Sequence, residues 1–274
     1  MERTGQHRNP ASCKGEVFGG IDGCRGGWLV VECDPGGRFR APALVCKSMA
    51  ELTEWFPMLR LALIDIPIGL ADPPIGVRNC DAIAREMLGA RRSTVFYPVI
   101  RQALQASSYA EACEIQSRLC LFKPSIQSWN LTPRIREVSE FLSQNPEWRQ
   151  KLRESHPELC FRELNRGMPV GESKKTSAGR QLRLTLLKRL SPNVDEFFER
   201  TRQAFRHSQV ADHDIVDAMV LALHAAMSER YGLVSIPARR DVNDAGEVME
   251  IVYADMVDIN ELRGRQGAGG WRNA

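Results

Sequence analysis

Four aspartates stand where their type and spacing could do chemistry. Asp22 closes the short apolar run Val17–Ile21, Asp65 lies within the apolar stretch Leu61–Leu70 directly before Ile66-Pro67, and Asp214 and Asp217 open a late helix. Proline has no N–H to give to a sheet ladder, so Asp65 belongs at the carboxyl end of its strand. That is the edge of an open α/β sheet where loops and helix starts converge into sites. Asp214 and Asp217 are three residues apart and share a helix face. The following segment Ala218–Ala226 is almost entirely apolar, so the helix is expected to be buried. Two acids facing one way on a buried helix repel each other and lose hydration unless a cation or a bound proton compensates. Each acid taken singly has a plainer reading: Asp-Gly is a common hairpin turn, and Asp before a proline pair can simply end a strand. Acids at a helix start cap it and complement its dipole, the reading taken for Asp212. The chemical case rests on convergence.

Positioning these residues requires an α/β chain. Val17–Ile21 and Trp28–Val31 flank the glycine-rich segment 22–27 and read as a hairpin, with Arg40–Cys46 as a third strand. Ser48, with Glu51 three residues later, predicts the start of a helix ending near Pro57. Leu61–Leu70 is near-continuously apolar, as in a strand covered on both faces. A helical insertion at about 77–154 follows, with helices over Val77–Leu88, Pro98–Leu121 and Thr132–Arg153 broken at Gly89, Pro124 and Pro133. Leu159–Leu164 reads as a return to strand, Arg180–Leu190 as an amphipathic helix and Asp212–Glu229 as an apolar one. Val234–Pro237 and Val248–Ala254, around the turn signal Asn243-Asp244-Ala245-Gly246, read as terminal strands. The organisation is one domain over 15–262 with tails at 1–14 and 263–274 that read as frayed ends.

Composition narrows the classes. The chain of 274 residues is 43% hydrophobic and 26% charged, ordinary for a globular domain with a sizeable core. No uncharged apolar run approaches the roughly 20 residues of a membrane span, and the first 15 residues are polar, so a cytoplasmic protein is expected. Eight cysteines without C-x-x-C spacing read as reduced thiols, and five histidines give no zinc ligand set. A net charge of +3 is too small to diagnose a nucleic-acid binder.

An acid at the end of strand one, another at the end of a later strand, and Asp214-Ile215-Val216-Asp217-Ala218 opening a late helix resemble the ribonuclease H-like superfamily, the D-x-x-D-A form being closest to its Holliday-junction resolvase branch. At finer grain the chain resembles the domain of unknown function 429 family, whose members are predicted ribonuclease H-like nucleases. The matching stretches are Gly20–Trp28, Ile64–Leu70, Arg78–Asp81 with Ala84-Arg85, Leu88–Ser93, Pro133–Val138, His156–Glu158, Ser173–Thr176 and the acidic helix. They span about Gly19 to Ser228, and their order is more specific than any one of them. His213 stands where an acid is expected, so the outer helix ligand is Asp214 or Asp212.

The resemblance implies a mixed sheet that opens with a hairpin and carries acids on its first and fourth strands and on a late helix, together binding divalent metal. Such a site hydrolyses phosphodiester bonds with two Mg²⁺ or Mn²⁺ ions roughly 3.5–4 Å apart, held by oxygen ligands. In this chain Asp22 would bridge the ions, Asp65 would be a second ligand, and Asp214 and Asp217 the helix pair, with Glu158 an additional candidate at a strand start. For the phosphates of a DNA or RNA substrate the candidates are Lys174 and Lys175 in a polar loop, Arg91 and Arg92, and Arg25; Trp129 and Tyr97 are candidates for stacking on bases. The insertion offers a cap over the substrate or a surface for a homodimer. Two other readings stay open: an actin-like or sugar-kinase-like phosphotransferase, against which stand the single copy of the fold and the missing G-x-x-x-x-G-K-[ST] loop, and a non-catalytic nucleic-acid-binding module.

Overall fold

A computed structural model describes residues 16–256; the tails expected at 1–14 and 263–274 lie outside the described residues. Strand β1 (Val17–Cys24) runs antiparallel to β2 (Gly27–Cys33), with Cys24 opposite Gly27, so the hairpin turns on Arg25-Gly26. Asp22 is therefore not the turn residue its Asp-Gly pair suggested; it lies in register opposite Leu29, inside the strand. Strand β3 (Phe39–Cys46) extends the hairpin antiparallel to β2. Strand β4 (Leu59–Ile64) is parallel to β1, and β5 (Leu152–Glu154) is parallel to β4. The order β3-β2-β1-β4-β5 makes a mixed five-stranded sheet with β1 at its centre and the carboxyl ends of β1, β4 and β5 on one edge.

Alternate residues feed two helical layers, as the period of a strand demands. Leu29, Val31 and Leu63 face a core built with α2 (Asn79–Leu88), α5 (Pro157–Leu164), α6 (Ser177–Leu187), α7 (Val194–Ala204) and α8 (Asp212–Tyr231). Val30, Ala62 and Ile64 face the opposite core, with α1 (Glu51–Trp55), α3 (Tyr109–Cys120) and α4 (Ile126–Gln144). A separate two-stranded sheet pairs β6 (Leu233–Ile236) with β7 (Ile251–Ala254). The central packing is α8 on β1. A methyl group added at Gly20 would lie 2.0 Å from the carbonyl oxygen of Ala218, so glycine there lets the acidic helix lie directly on the strand that carries Asp22.

Several expectations are corrected. The apolar stretch 61–70 is strand only to Ile64: Asp65 N still donates to Ile21 O at 3.0 Å, and the chain then bends ahead of Pro67. The third insertion helix begins earlier and carries Pro133 inside it, and the residues expected to extend it to Arg153 instead form a 3-10 turn and β5. The second helix is shorter than 98–121, forming only from Tyr109. Leu159–Leu164 is helix α5, not strand, so Glu158 sits in a first helical turn; a short apolar run does not separate strand from buried helix, but Pro157 at the first helical position does. Ser48 caps nothing: α1 follows Ala50, and Glu51 accepts from Lys47 N at 3.0 Å. Helix α7 was not anticipated. Every described cysteine is a free thiol, and no described helix is long and apolar enough to cross a membrane.

Candidate active site

Three of the four aspartates meet at the carboxyl edge of the sheet. Asp22 arrives on β1, Asp65 just past β4, and Asp217 on the second turn of α8. Asp217 is completely buried; its Oδ2 accepts a hydrogen bond from Lys174 Nζ, while its Oδ1 has no partner among the described residues. Asp22 Oδ1 accepts from its neighbour Gly23 N, at 2.8 Å. Burial pushes the Asp22 carboxyl well above its ordinary pKa, and Asp65 and Asp217 push it further, against Lys174. Burial likewise raises Asp65, opposed by His156 and Lys174 and reinforced by Asp217 and Glu158. Burial raises Asp217, again against Lys174. The three acids thus sit within electrostatic reach of one another, each resisting ionisation. Although burial disfavours its charge, Asp217, Asp22 and Asp65 hold the Lys174 ammonium above the usual lysine range.

The remaining predicted acids are placed differently. Asp214 Oδ2 accepts from Ala211 N at 2.9 Å, an end-cap of α8, and Oδ1 faces His213 Nε2 at 3.4 Å. Asp212 pairs with Arg180 at 3.1 Å. Glu158 is buried beside the cluster, but both its oxygens accept from Arg183 Nη2, at 2.7 and 2.8 Å, with Arg91 at 3.4 Å. Neither helix-end acid nor Glu158 has the unmet coordination of Asp217. Among the described residues no three histidine, cysteine, aspartate or glutamate side chains are gathered into a metal-holding set; the cation within the cluster is Lys174.

The predicted basic residues divide in the same way. A groove of about 700 Å³ opens beside Gly23 and Asp214 and is lined by Arg25, Arg134, Lys175, His207 and His213. Arg25 and Lys175 are exposed there, as a phosphate contact requires. Lys174 is turned inward to Asp217, and Arg91 is tied to Glu158; Arg92 is exposed and lies outside the groove. Trp129 packs at a tilt on Tyr109, and Tyr97 lies beneath the Arg85 guanidinium, so both stacking candidates have partners within the protein.

Sequence reasoning gave no role to the residues that brace this edge. Arg134 of α4 donates to Cys24 O and Gly27 O and lies over the Trp28 ring at 4.8 Å, while Glu137, one turn on, accepts from Trp28 Nε1 at 3.1 Å and Met49 N at 2.7 Å. The insertion helix thereby clamps the hairpin that presents Asp22. The signal was the stretch Pro133–Val138, which matched a family pattern without a stated purpose. Arg183 of α6, given no role from the sequence, is fully buried against Glu158.

The model of the family described as Protein of unknown function (DUF429) matches residues 20–241. No curated protein and no solved structure matches the chain.

Proposed function

This chain belongs to the DUF429 family, and we propose that it is a divalent-metal-dependent nuclease of ribonuclease H-like fold, hydrolysing phosphodiester bonds in DNA or RNA at the Asp22, Asp65 and Asp217 cluster. The observation that carries the reading is the convergence of three carboxylates, Asp22 and Asp217 buried and Asp65 half-buried, from β1, the end of β4 and α8 beside a groove lined with cations. The strand arrangement and the placement of these acids agree with what the resemblance implies for the fold.

The donors are all carboxylate, the class that Mg²⁺ or Mn²⁺ takes, and Oδ1 of Asp217, without a partner among the described residues, is the buried oxygen that such an ion would meet. When bound, the ion polarises a phosphoryl oxygen and lowers the pKa of water. The protein's own contribution is positioning. Asp22, Asp65 and Asp217 would hold the ion, and Arg25 and Lys175 would hold the flanking phosphates. Arg134 and Glu137 fix the hairpin so that Asp22 keeps its place. Asp214 acts through the helix start rather than as a ligand.

The test is cleavage of end-labelled single-stranded and duplex DNA and RNA with Mn²⁺ or Mg²⁺. The expected result is cleavage abolished by chelation and by Asp65→Asn, with the variant still folded. Tight binding of the oligonucleotides with no cleavage under any metal condition would reject a nuclease in favour of a binding module. A nucleotide-dependent thermal shift without cleavage would point to the phosphotransferase class.

A further inference from the structure

We propose that a second cavity, walled in part by the residues that follow Asp65, is a binding site for a small organic anion with an apolar body, an aryl or acyl carboxylate. The cavity encloses about 860 Å³, the size of a small-molecule site, and lies between α4, β5, the segment 67–70 and the β6–β7 sheet with its connecting turn. Its floor is apolar. Ile135, Val138 and Leu142 share one face of α4 and, with Leu104 and Leu152, are buried, whereas Arg149 and Arg240 are exposed and so stand at the mouth. Polar contacts tie the walls together. Asn243 Nδ2 donates to Leu70 O at 3.0 Å, Asp244 N to Asp72 Oδ2 at 2.8 Å and Arg101 N to Ala71 O at 3.1 Å, while Ser235 Oγ and Arg153 Nε both donate to Glu250, at 2.8 and 2.6 Å. The cavity is thus preformed by the fold, which lowers the cost of binding.

The charge of the ligand follows from which wall groups are already satisfied. Arg101 pairs with Asp72 and Arg153 with Glu250, but Arg149 and Arg240 have no acid partner among the described residues. Glu154 is held through both oxygens by Arg78, which Asp81 shares, and Glu247 accepts from the Asn243 amide at 2.9 Å. Among the described residues Glu247 is thus the wall carboxylate without a cation, against two guanidiniums without an acid. The charges flanking those two arginines in sequence cancel in pairs, Arg239 with Asp241 and Glu147 with Lys151. A guanidinium presents parallel N–H donors that fit both oxygens of a carboxylate. A carboxylate at the mouth and an apolar body on α4 therefore match the two halves of the cavity. A cationic ligand would meet the guanidiniums, and a wholly polar one would leave its polar atoms unpaired on the floor. Asp22, Asp65 and Asp217 line none of this cavity, so the site stands or falls apart from the proposed hydrolysis.

Fluorescence titration of the full chain with anilinonaphthalene sulfonate, an aryl anion, tests the site, with decanoate as competitor and phenylnaphthylamine as the same rings without the charge. A single saturable site is expected, from which decanoate displaces the sulfonate, and the uncharged probe should bind about tenfold more weakly. Replacing both exposed arginines, Arg149→Gln with Arg240→Gln, should leave the fold intact and bring the two probes to the same affinity. Ser139→Trp, which introduces a bulky ring on the half-buried wall of α4, should abolish binding of both probes. Circular dichroism checks that this variant folds, and the arginine pair decides the test if it does not. Equal affinity for the two probes in the wild type, or sulfonate binding unchanged by the arginine substitutions, would overturn the inference. So would displacement of the sulfonate by a short oligonucleotide and not by decanoate, which would give the cavity to the nucleic acid.

Discussion

Two buried ionic clusters are attached to opposite ends of the segment 65–69, and they are built on different principles. At one end, Arg78 donates from Nε and Nη2 to Asp81 at 2.9 and 2.6 Å, from Nη1 and Nη2 to Glu154 at 2.7 Å each, and to the carbonyls of Ile68 and Gly69. Glu154 also accepts from Ile68 N at 2.6 Å. One forked cation there meets two carboxylates and two backbone carbonyls. At the other end, three aspartates share one lysine, and the most buried of them keeps an oxygen with no partner. Saturated networks of the first kind define a conformation. A cluster of the second kind forgoes stability, as the proposed cation site would.

The largest expected effect comes from breaking the saturated cluster. Arg78→Met leaves Glu154 and Asp81 buried without their cation and should cost about 3–5 kcal/mol in chemical denaturation. A loss under about 1 kcal/mol would mean that the network is not what fixes the segment after Asp65.

A second saturated group lies on the same helix as Asp217. His224 is fully buried, receives a hydrogen bond from Ala254 N on Nδ1 and lies 3.0 Å from Cys160 O through Nε2, and burial lowers its pKa to about 3. The unfolded chain takes up this proton near pH 6.5, so His224 contributes its full stability above that pH. The contribution is lost as pH falls towards 3, at up to about 1.4 kcal/mol per unit. Asp22, Asp65 and Asp217, whose pKa values are raised, bind protons in the fold and act in the opposite sense. His224→Gln should therefore remove the acid-side loss in pH-dependent melting; an unchanged profile would contradict the assignment.

Smaller changes follow where the cluster is under repulsion. Asp22→Asn removes one of three mutually repelling charges and should raise the stability of the metal-free protein, on the order of 1 kcal/mol, read from denaturant midpoints. A loss of that size would make Asp22 a structural strand residue. The smallest effect on folding is expected in the groove: Arg25→Ala and Lys175→Ala should each stay within about 0.5 kcal/mol of the parent. Each should also weaken oligonucleotide binding and reduce the slope of affinity against salt by about one; an unaltered slope would place the substrate elsewhere.

The residues that converge were legible because they follow from element ends. Asp65 before a proline, Asp217 ahead of an apolar helix and Asp22 at the end of the first strand all reach the same edge once the sheet forms. The hairpin was legible from two short apolar runs around a glycine-rich turn, and α8 from its long apolar run. What escaped depends on contacts between distant segments. Nothing local in Ser173–Thr176 says that Lys174 faces inward while Lys175 faces the groove, since that follows from the closeness of Gly179 to Ser173. Asp214 and Asp217 look equivalent by spacing, and only the start of α8 makes one a cap and the other a buried acid. Glu158 was misplaced at a strand start because the short, mainly apolar run Leu159–Leu164 does not by itself separate strand from buried helix.

The central claim, that Asp22, Asp65 and Asp217 form a cation site and not a fortuitous cluster, is tested most directly by melting the chelated protein with and without Mn²⁺. An ion that binds only the folded chain stabilises it by about 2.7 kcal/mol at a hundredfold excess over Kd. The wild type should therefore melt at a clearly higher temperature with Mn²⁺, and Asp22→Asn should show little or no shift. A wild type indifferent to Mn²⁺, or a shift fully preserved in Asp22→Asn, would contradict the account.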